Sequence, residues 1–203
     1  MPSVALSMRH DLIDGRDETR AAIDERLIEF FHHSGFECVL VHNLFKDKQT
    51  LFDFLNRNLI DGIVLTGGND IGNIPRRDDT ERWLISYAID NNVPLLGICR
   101  GMQMIGNYFG CALKKVDGHV NVLHKLIGSR HGERSVNSFH NYSLDSCPDQ
   151  FSVIHRSLDG EIESIVGRCG AIIGIMWHPE RDFPFSEADK DLVRNLFSQK
   201  VEG

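Results

Sequence analysis

The sequence predicts an α/β fold in which a central, mostly parallel sheet is flanked by helices. Short apolar runs of strand length alternate with longer amphipathic segments through the first half of the chain, and this alternation is typical of parallel sheets covered by helices. Two apolar runs end in glycine-containing turns, "LTGGND" at 65–70 and "GICRG" at 97–101. Because ligands bind beyond the carboxyl ends of strands in such sheets, we expect a functional site there.

The composition limits the classes of function. The 203 residues fit a single domain, 1–203, and the net charge of −7 argues against nucleic acid as a partner. The five cysteines include no CxxC pair, which argues against a zinc site built on thiolates. The apolar runs are too short for a membrane span, and the first strand begins at residue 3, before any signal peptide could fit. We therefore expect a cytoplasmic protein.

The elements of the first half follow from hydrophobic periodicity. Apolar runs predict strands at 3–8, 36–41, 61–66 and 93–98, and amphipathic segments predict helices at 17–35, 48–58, 79–92 and 100–110. In the first helix Leu27 and Phe31 recur at helical spacing, and Gly35 follows as the glycine that commonly ends a helix.

The second half of the chain differs from the first in composition and in hydrophobic periodicity. Residues 111–150 show little periodicity and are rich in histidine, asparagine, serine and glycine. Beyond them, "FSVIHR", "EIESIVG" and "GAIIGIMW" predict three strands joined by short turns, and "SEADKDLVRNLFSQ" predicts a closing helix.

Cys99 stands at the turn from the fourth predicted strand into a helix. Glycines at 97 and 101 leave room for a sharp bend, and the pattern matches a nucleophile elbow with cysteine in place of serine. The helix N-terminus would favour a thiolate there, and the backbone N–H of Arg100 is a candidate oxyanion donor. The alternative is a buried, inert cysteine, as most free cysteines are.

A thiolate nucleophile needs a base, and His178 is the strongest candidate among the ten histidines. It follows an apolar strand, and Pro179 biases its backbone towards an extended conformation. Glu180, two residues further on, is placed to orient the imidazole. The alternative for "WHPE" is a turn with a solvated glutamate.

Together, "GICRGMQ", "GIMWHPE" and "LTGGND" resemble the motifs of the class I glutamine amidotransferase superfamily, with order and spacing that agree over nearly the whole chain. The resemblance implies the flavodoxin-like fold of that family. It also implies that Cys99, His178 and Glu180 form a triad that attacks a γ-glutamyl carbonyl and passes through a thioester. The oxyanion would be held by the backbone N–H groups of Gly68 and Arg100.

The resemblance extends to the pocket for the glutamyl group. Gln103 lies one helical turn beyond Cys99 and would face the same pocket. "VNSFHNY" at 136–142 resembles the segment that holds the α-amino and α-carboxylate groups. The substrate-binding residues expected on this basis are Gly67, Asn69, Gln103, Asn137, Ser138 and His140. The alternative for 136–142 is a loop stabilised by its own polar side chains.

Details of the motifs are similar to the γ-glutamyl hydrolase branch, which includes γ-glutamyl-γ-aminobutyrate hydrolases. A narrower resemblance is to the small γ-glutamyl-CDP-amidate hydrolases of capsule phosphoramidate biosynthesis. The expected function is release of glutamate from a small γ-glutamyl substrate by this chain alone. The alternative is a glutaminase subunit that supplies ammonia to a separate synthetase. A homodimer and a pathway partner enzyme both stay open.

Several basic residues fall in the loops where the leaving half of the substrate would lie. Arg9, His10, Arg16, Arg76 and Arg77, with the segment 128–135, are candidates to meet phosphates, and solvated surface arginines are the alternative.

No cofactor and no metal are expected. Three histidines of the irregular segment lack a carboxylate or thiolate partner at ligand spacing in the sequence, which argues against a metal site; they are His119, His124 and His140.

Overall fold

The computed structural model describes residues 1–128 and 134–198. Its strands, in chain order, are β1 Ser3–Ser7, β2 Arg9–Leu12, β3 Thr19–Ala22, β4 Glu37–Val41, β5 Gly62–Leu65, β6 Leu95–Ile98, β7 Leu113–Lys115, β8 Val120–Gly128, β9 Arg134–Phe139, β10 Tyr142–Leu144, β11 Phe151–Arg156, β12 Ile162–Gly167 and β13 Ile172–Ile175. Its α-helices are α1 Glu25–Ser34, α2 Lys48–Arg57, α3 Pro75–Asp90, α4 Arg100–Tyr108 and α5 Glu187–Ser198.

Over the described ranges, nine strands form one sheet in the order β4-β1-β5-β6-β13-β12-β11-β8-β9. The first five of these run parallel to one another. The remaining four extend the sheet with antiparallel pairs. The α/β class with a central parallel sheet flanked by helices is confirmed.

Two apolar cores hold the helices on opposite faces of the sheet. On one face, α2, α3 and α4 contribute side chains such as Leu51, Leu84 and Met102. On the other, α1 and α5 contribute Phe30 and Phe197. Burial of this kind contributes about 1.5–3 kcal/mol for each large apolar side chain, and it anchors the strands whose ends form the site.

Three parallel strands end together at one edge. Strand β6 lies between β5 and β13, with Gly97 opposite Leu65 and Ile98 opposite Ile175. The chain leaves these strands at the glycine turn of 67–68, at Cys99 and just before His178. The register of the sheet therefore brings the predicted motifs to one place.

The helix predicted at 17–35 begins later than expected. Strand β3 pairs instead with β2 as a short antiparallel ribbon. Asp24 then caps α1, because its carboxylate accepts a hydrogen bond of 3.0 Å from the N–H of Arg26. At the other end the prediction is confirmed, since Gly35 has φ 96° and donates to the carbonyls of Phe31 and His32.

Segment 111–150 contains strands that periodicity did not reveal. Strands β8 and β9 pair at the edge of the large sheet, and β7 and β10 form a separate pair. Most of β8 is exposed on both faces, so apolar and polar residues do not alternate along it. In the parts of the chain that the structure describes, none of the helices is both long and apolar enough to cross a membrane.

Candidate active site

Cys99 occupies a strained bend between β6 and α4. Its backbone has φ 52° and ψ −106°, which is unusual for a residue with a side chain. The bend is tightly packed, because a Cβ on Gly101 would lie 2.1 Å from the carbonyl oxygen of Leu65, and one on Gly97 would lie 2.6 Å from the Gly101 backbone. Both glycines are therefore needed for the elbow that the sequence predicts.

His178 lies beside Cys99 and is held by Glu180. The Nδ1 atom of His178 is 2.6 Å from Oε1 of Glu180, and both side chains are almost fully buried. The side chain of Cys99 is close enough to the ring to influence its charge. Since Nδ1 is engaged by the carboxylate, Nε2 is the ring nitrogen that faces the sulfur.

The environment of His178 favours a charged ring. Burial opposes the imidazolium, but the hydrogen bonds to Cys99 and Glu180, together with the charges of both groups, raise the pKa of His178 to about 9. The ring packs closely on the glycine turn, since a Cβ on Gly67 would lie 2.7 Å from its Cε1 atom. An imidazolium held between Cys99 and Glu180 fits this arrangement.

A cavity of about 380 Å³ opens above these residues. Nine of the residues predicted to form the site line it: Gly67, Gly68, Asn69, Cys99, Arg100, Gln103, His140, His178 and Glu180. Arg100 is the first residue of α4, so its N–H has no acceptor within the helix. Gly68 has φ 106°, a conformation that favours glycine. Both backbones border the space next to the sulfur.

Two predicted substrate-binding residues do not line this cavity. Asn137 binds the backbone of His178 instead, and Ser138 is fully buried and donates to the carbonyl of His119 over 2.8 Å. Both side chains are buried in the packing around β9, and neither borders the cavity. Their contact with substrate therefore stays a prediction, and the position of their side chains does not support it.

The side chain of Arg100 turns away from the cavity into a buried ionic network. Its guanidinium pairs with Asp78 and Glu81, and its Nε donates to the carbonyl of Asn69 over 2.6 Å. Burial alone would raise the pKa of Glu81, but the guanidinium groups of Arg100 and Arg77 hold it below its usual range. The side chain of Arg100 thus stabilises the structure around the site, while its backbone N–H borders the cavity.

Arg77 belongs to the same network and is fully buried. It bonds Glu81 at 2.9 Å and donates to the carbonyls of Thr66 and Gly67 at 2.7 and 2.9 Å. It therefore supports the glycine turn from below and is not available to a phosphate, contrary to the sequence-based expectation.

The other basic candidates differ in position. Arg9 lines the cavity with its side chain 45% exposed, next to Asp11. Arg16 and Arg76 are exposed and do not line it, and His10 is buried. Of the segment 128–135, residues 129–133 lie outside the described residues.

Sequence reasoning missed several residues of the cavity wall. Arg181 follows the "WHPE" motif and lies 4.2 Å over the ring of Phe139. Asn141 and Tyr142 belong to the "VNSFHNY" segment, but nothing in the sequence singled them out within it. Asp24 comes from the cap of α1, where nothing in the sequence pointed to a site.

His119, His124 and His140, which have no ligand partner nearby in the sequence, have carboxylates beside them in the structure. Glu163, from β12, lies against His119 and His140, and Asp159 lies against His119 and His124. The argument against a metal site was wrong on this point, because the carboxylates are distant in sequence and the sheet brings them together.

Comparisons with known proteins agree with this geometry. A family model described as glutamine amidotransferase class-I matches residues 17–199. The γ-glutamyl-CDP-amidate hydrolase of Campylobacter jejuni is 34% identical, with 79% of this chain and 89% of that protein covered. The glutamine-hydrolysing GMP synthase subunit of Haloquadratum walsbyi is 29% identical, with 81% and 86% covered.

Solved structures share the fold. A Thermoplasma acidophilum protein assigned as a GMP synthase subunit superposes with a TM-score of 0.72 at 22% identity, covering 98% of this chain and 93% of that one. A glutamine amidotransferase of Thermotoga maritima gives a TM-score of 0.68 at 15% identity, covering 100% of both chains. These likenesses confirm the fold class that the sequence predicts.

Proposed function

The chain belongs to the class I glutamine amidotransferase family, and from that premise we propose that it is a cysteine hydrolase of γ-glutamyl amides. The observation that carries this proposal is the buried Cys99–His178–Glu180 arrangement at the floor of a cavity. The chemistry needs a nucleophile, a base oriented by a carboxylate, and donors for an oxyanion.

In the first half-reaction, the sulfur of Cys99 attacks the γ-carbonyl carbon, and a C–S bond forms as the carbonyl electrons move onto oxygen. The N–H groups of Gly68 and Arg100 stabilise that oxyanion. His178 then gives its Nε2 proton to the leaving nitrogen as the C–N bond breaks. An amine departs and a γ-glutamyl thioester remains.

In the second half-reaction, water attacks the thioester carbonyl while His178 takes one of its protons. The C–S bond breaks, and the sulfur leaves as the thiolate beside the recharged imidazolium. Glutamate is released and the starting ion pair is restored. Glu180 fixes the tautomer and the orientation of the ring throughout.

We propose a γ-glutamyl nucleotide amidate of the CDP type as the substrate. The support is the relative from C. jejuni, whose name specifies that substrate. A second support is the cavity wall, where Arg9 and Arg181 offer cationic groups that suit phosphates on the leaving half.

A second candidate function is supply of ammonia from glutamine to a separate synthetase. Its support is the similarity to glutamine-hydrolysing GMP synthase subunits. The two functions share the triad and differ in the leaving group and in the need for a partner.

One experiment tests the hydrolase and separates the two candidates. The purified chain is incubated with a panel of γ-glutamyl compounds, including a γ-glutamyl nucleotide amidate and glutamine, and free glutamate is measured. We expect release from the amidate by the chain alone, and a loss of at least about 10³-fold in C99A. C38A is the matched control, since Cys38 lies in β4, away from the cavity.

Two other results would count against the proposed hydrolase. Hydrolysis of no γ-glutamyl compound, with Cys99 still labelled by the glutamine analogue diazo-oxo-norleucine, would favour the ammonia-supplying role. Failure of that label to react with Cys99 would overturn both candidates.

A further inference from the structure

A second cluster of ionisable groups lies behind the cavity wall. His119, His140 and Glu163 are all at least 98% buried, and each directs an atom at the others. Oε1 of Glu163 is 3.7 Å from Nδ1 of His119 and 3.6 Å from Nε2 of His140. Within the described residues, these two ring nitrogens and both oxygens of Glu163 have no hydrogen-bond partner. A fully buried carboxylate without partners is costly unless a cation neutralises it.

The opposite nitrogens of the two rings are already engaged. Nε2 of His119 is 2.8 Å from a carboxylate oxygen of Asp159, and Nδ1 of His140 is 3.0 Å from the carbonyl oxygen of Tyr142. A carbonyl only accepts, and a carboxylate beside a neutral ring accepts as well, so each ring donates outward. With both rings neutral, their lone pairs would therefore be directed inward, at Glu163.

This is the arrangement that protein metal sites use. Metal-binding histidines donate their second N–H to a carboxylate or a backbone carbonyl, which fixes the tautomer and the ring orientation. Ligand atoms about 2.0–2.1 Å from a tetrahedral zinc ion lie about 3.3–3.4 Å from one another. The separations of 3.6 and 3.7 Å are too long for hydrogen bonds and close to the spacing that an ion would set.

We propose that His119, His140 and Glu163 bind a divalent transition-metal ion of the zinc type. Two imidazoles and one carboxylate supply three ligands, and the second oxygen of Glu163 or a water completes the shell. Asp159 orients His119 from outside. The alternative set of His119, His124 and Asp159 is less suited, because the side chain of Asp159 is 56% exposed.

The ion would join three parts of the chain. His119 precedes β8, His140 follows β9 on the cavity wall, and Glu163 lies in β12 of the large sheet. The carbonyl of Tyr142 that accepts from His140 also accepts from Gln103 over 2.8 Å. The site would thus fix one wall of the cavity to the sheet. The inference stands independently of the proposed function.

Metal titration tests the proposal directly. The chain is stripped with a chelator in a C99A background, so that Cys99 and His178 cannot hold the ion together. Co²⁺ is then added while the visible absorption is recorded, and Zn²⁺ affinity is measured by competition. We expect about one equivalent bound, with the absorption of a four-coordinate site.

Variants assign the ligands. We expect E163Q in this background to lose saturable binding, and D159N to bind about 10–100-fold more weakly, because the exposed Asp159 only orients His119. H33Q, which removes an exposed histidine on α1, should bind like the parent. Circular dichroism checks that each variant is folded. If E163Q does not fold, the affinity of D159N for the metal ion tests the proposal instead.

Three results would overturn the proposal: no saturable binding by the C99A chain, unchanged affinity in a folded E163Q variant, or unchanged affinity in D159N. In the first case, protonated histidines neutralise Glu163 in place of a metal ion.

Discussion

Asn137 holds the backbone of His178 with a pair of hydrogen bonds. Its side-chain oxygen accepts from the N–H of His178 at 2.9 Å, and its side-chain nitrogen donates to the carbonyl of the same residue at 2.8 Å. A further bond of 3.0 Å reaches Asp182. Since Asn137 is buried and off the cavity wall, we expect it to set the position of His178 without touching a substrate.

The variant N137A tests this positioning role. We expect kcat to fall about 10–100-fold, because small displacements of a catalytic group are costly, while KM changes little. N137D, which keeps the acceptor oxygen for the His178 N–H, should recover part of the rate. Steady-state kinetics on one γ-glutamyl substrate provide the measurement. A rise in KM with unchanged kcat would instead support the contact with substrate that the sequence suggested.

The pH dependence of turnover reports on His178. The folded protein raises the pKa of this ring to about 9, so the imidazolium is present at neutral pH and is lost as the pH rises through that value. In the proposed mechanism the charged ring protonates the leaving nitrogen, so we expect kcat/KM to fall on the alkaline side near pH 9. The pH profile of the wild-type chain, recorded with a neutral substrate, provides the measurement.

E180Q gives the matched comparison for that profile. The substitution removes the carboxylate charge that favours the imidazolium, so the alkaline limb should move to lower pH and the maximal rate should fall. An alkaline limb that stays in place would mean that Glu180 does not act on the titrating group.

The fold was predictable where short apolar runs alternate with longer amphipathic segments. Strands β1, β5 and β6 are almost wholly buried, so they appear in the sequence as apolar runs of strand length. Strands β8 and β9 were not predictable, because β8 is exposed on both faces and its pairing is set by contacts distant in sequence. The start of α1 was missed because "TRAA" pairs with β2, a choice that tertiary contacts make.

The candidate site also combines residues that local sequence signals reveal with residues that only distant contacts bring together. Cys99, His178 and Glu180 are marked by strand ends, glycines and proline, which are local signals. The ionic network of Arg100 and the carboxylates beside His119 arise from residues distant in sequence. No local pattern could show that the side chain of Arg100 points away from the cavity.

The network beneath the glycine turn should contribute strongly to stability. R100M leaves Asp78 without its cation and removes one of two cations from Glu81, so we expect a loss of about 3–5 kcal/mol in the free energy of unfolding. Urea denaturation followed by circular dichroism measures it. R16M is the control, since the exposed Arg16–Glu18 pair should contribute less than about 1 kcal/mol. Equal losses in the two variants would contradict a special role for the buried network.

The cavity rim should discriminate among leaving groups through Arg9. Its side chain is partly exposed and free to swing from Asp11, 3.0 Å away, towards an anionic group in the cavity. A charge-assisted hydrogen bond contributes about 1.5–3 kcal/mol, so R9A should lower kcat/KM for a γ-glutamyl nucleotide amidate by about 10-fold or more. The same variant should leave hydrolysis of γ-glutamyl-p-nitroanilide nearly unchanged, because its leaving group is neutral. R16A, which removes an exposed arginine off the wall, should affect neither substrate. Equal losses on both substrates would place the effect of Arg9 on the shared glutamyl half and would argue against a phosphate-containing leaving group.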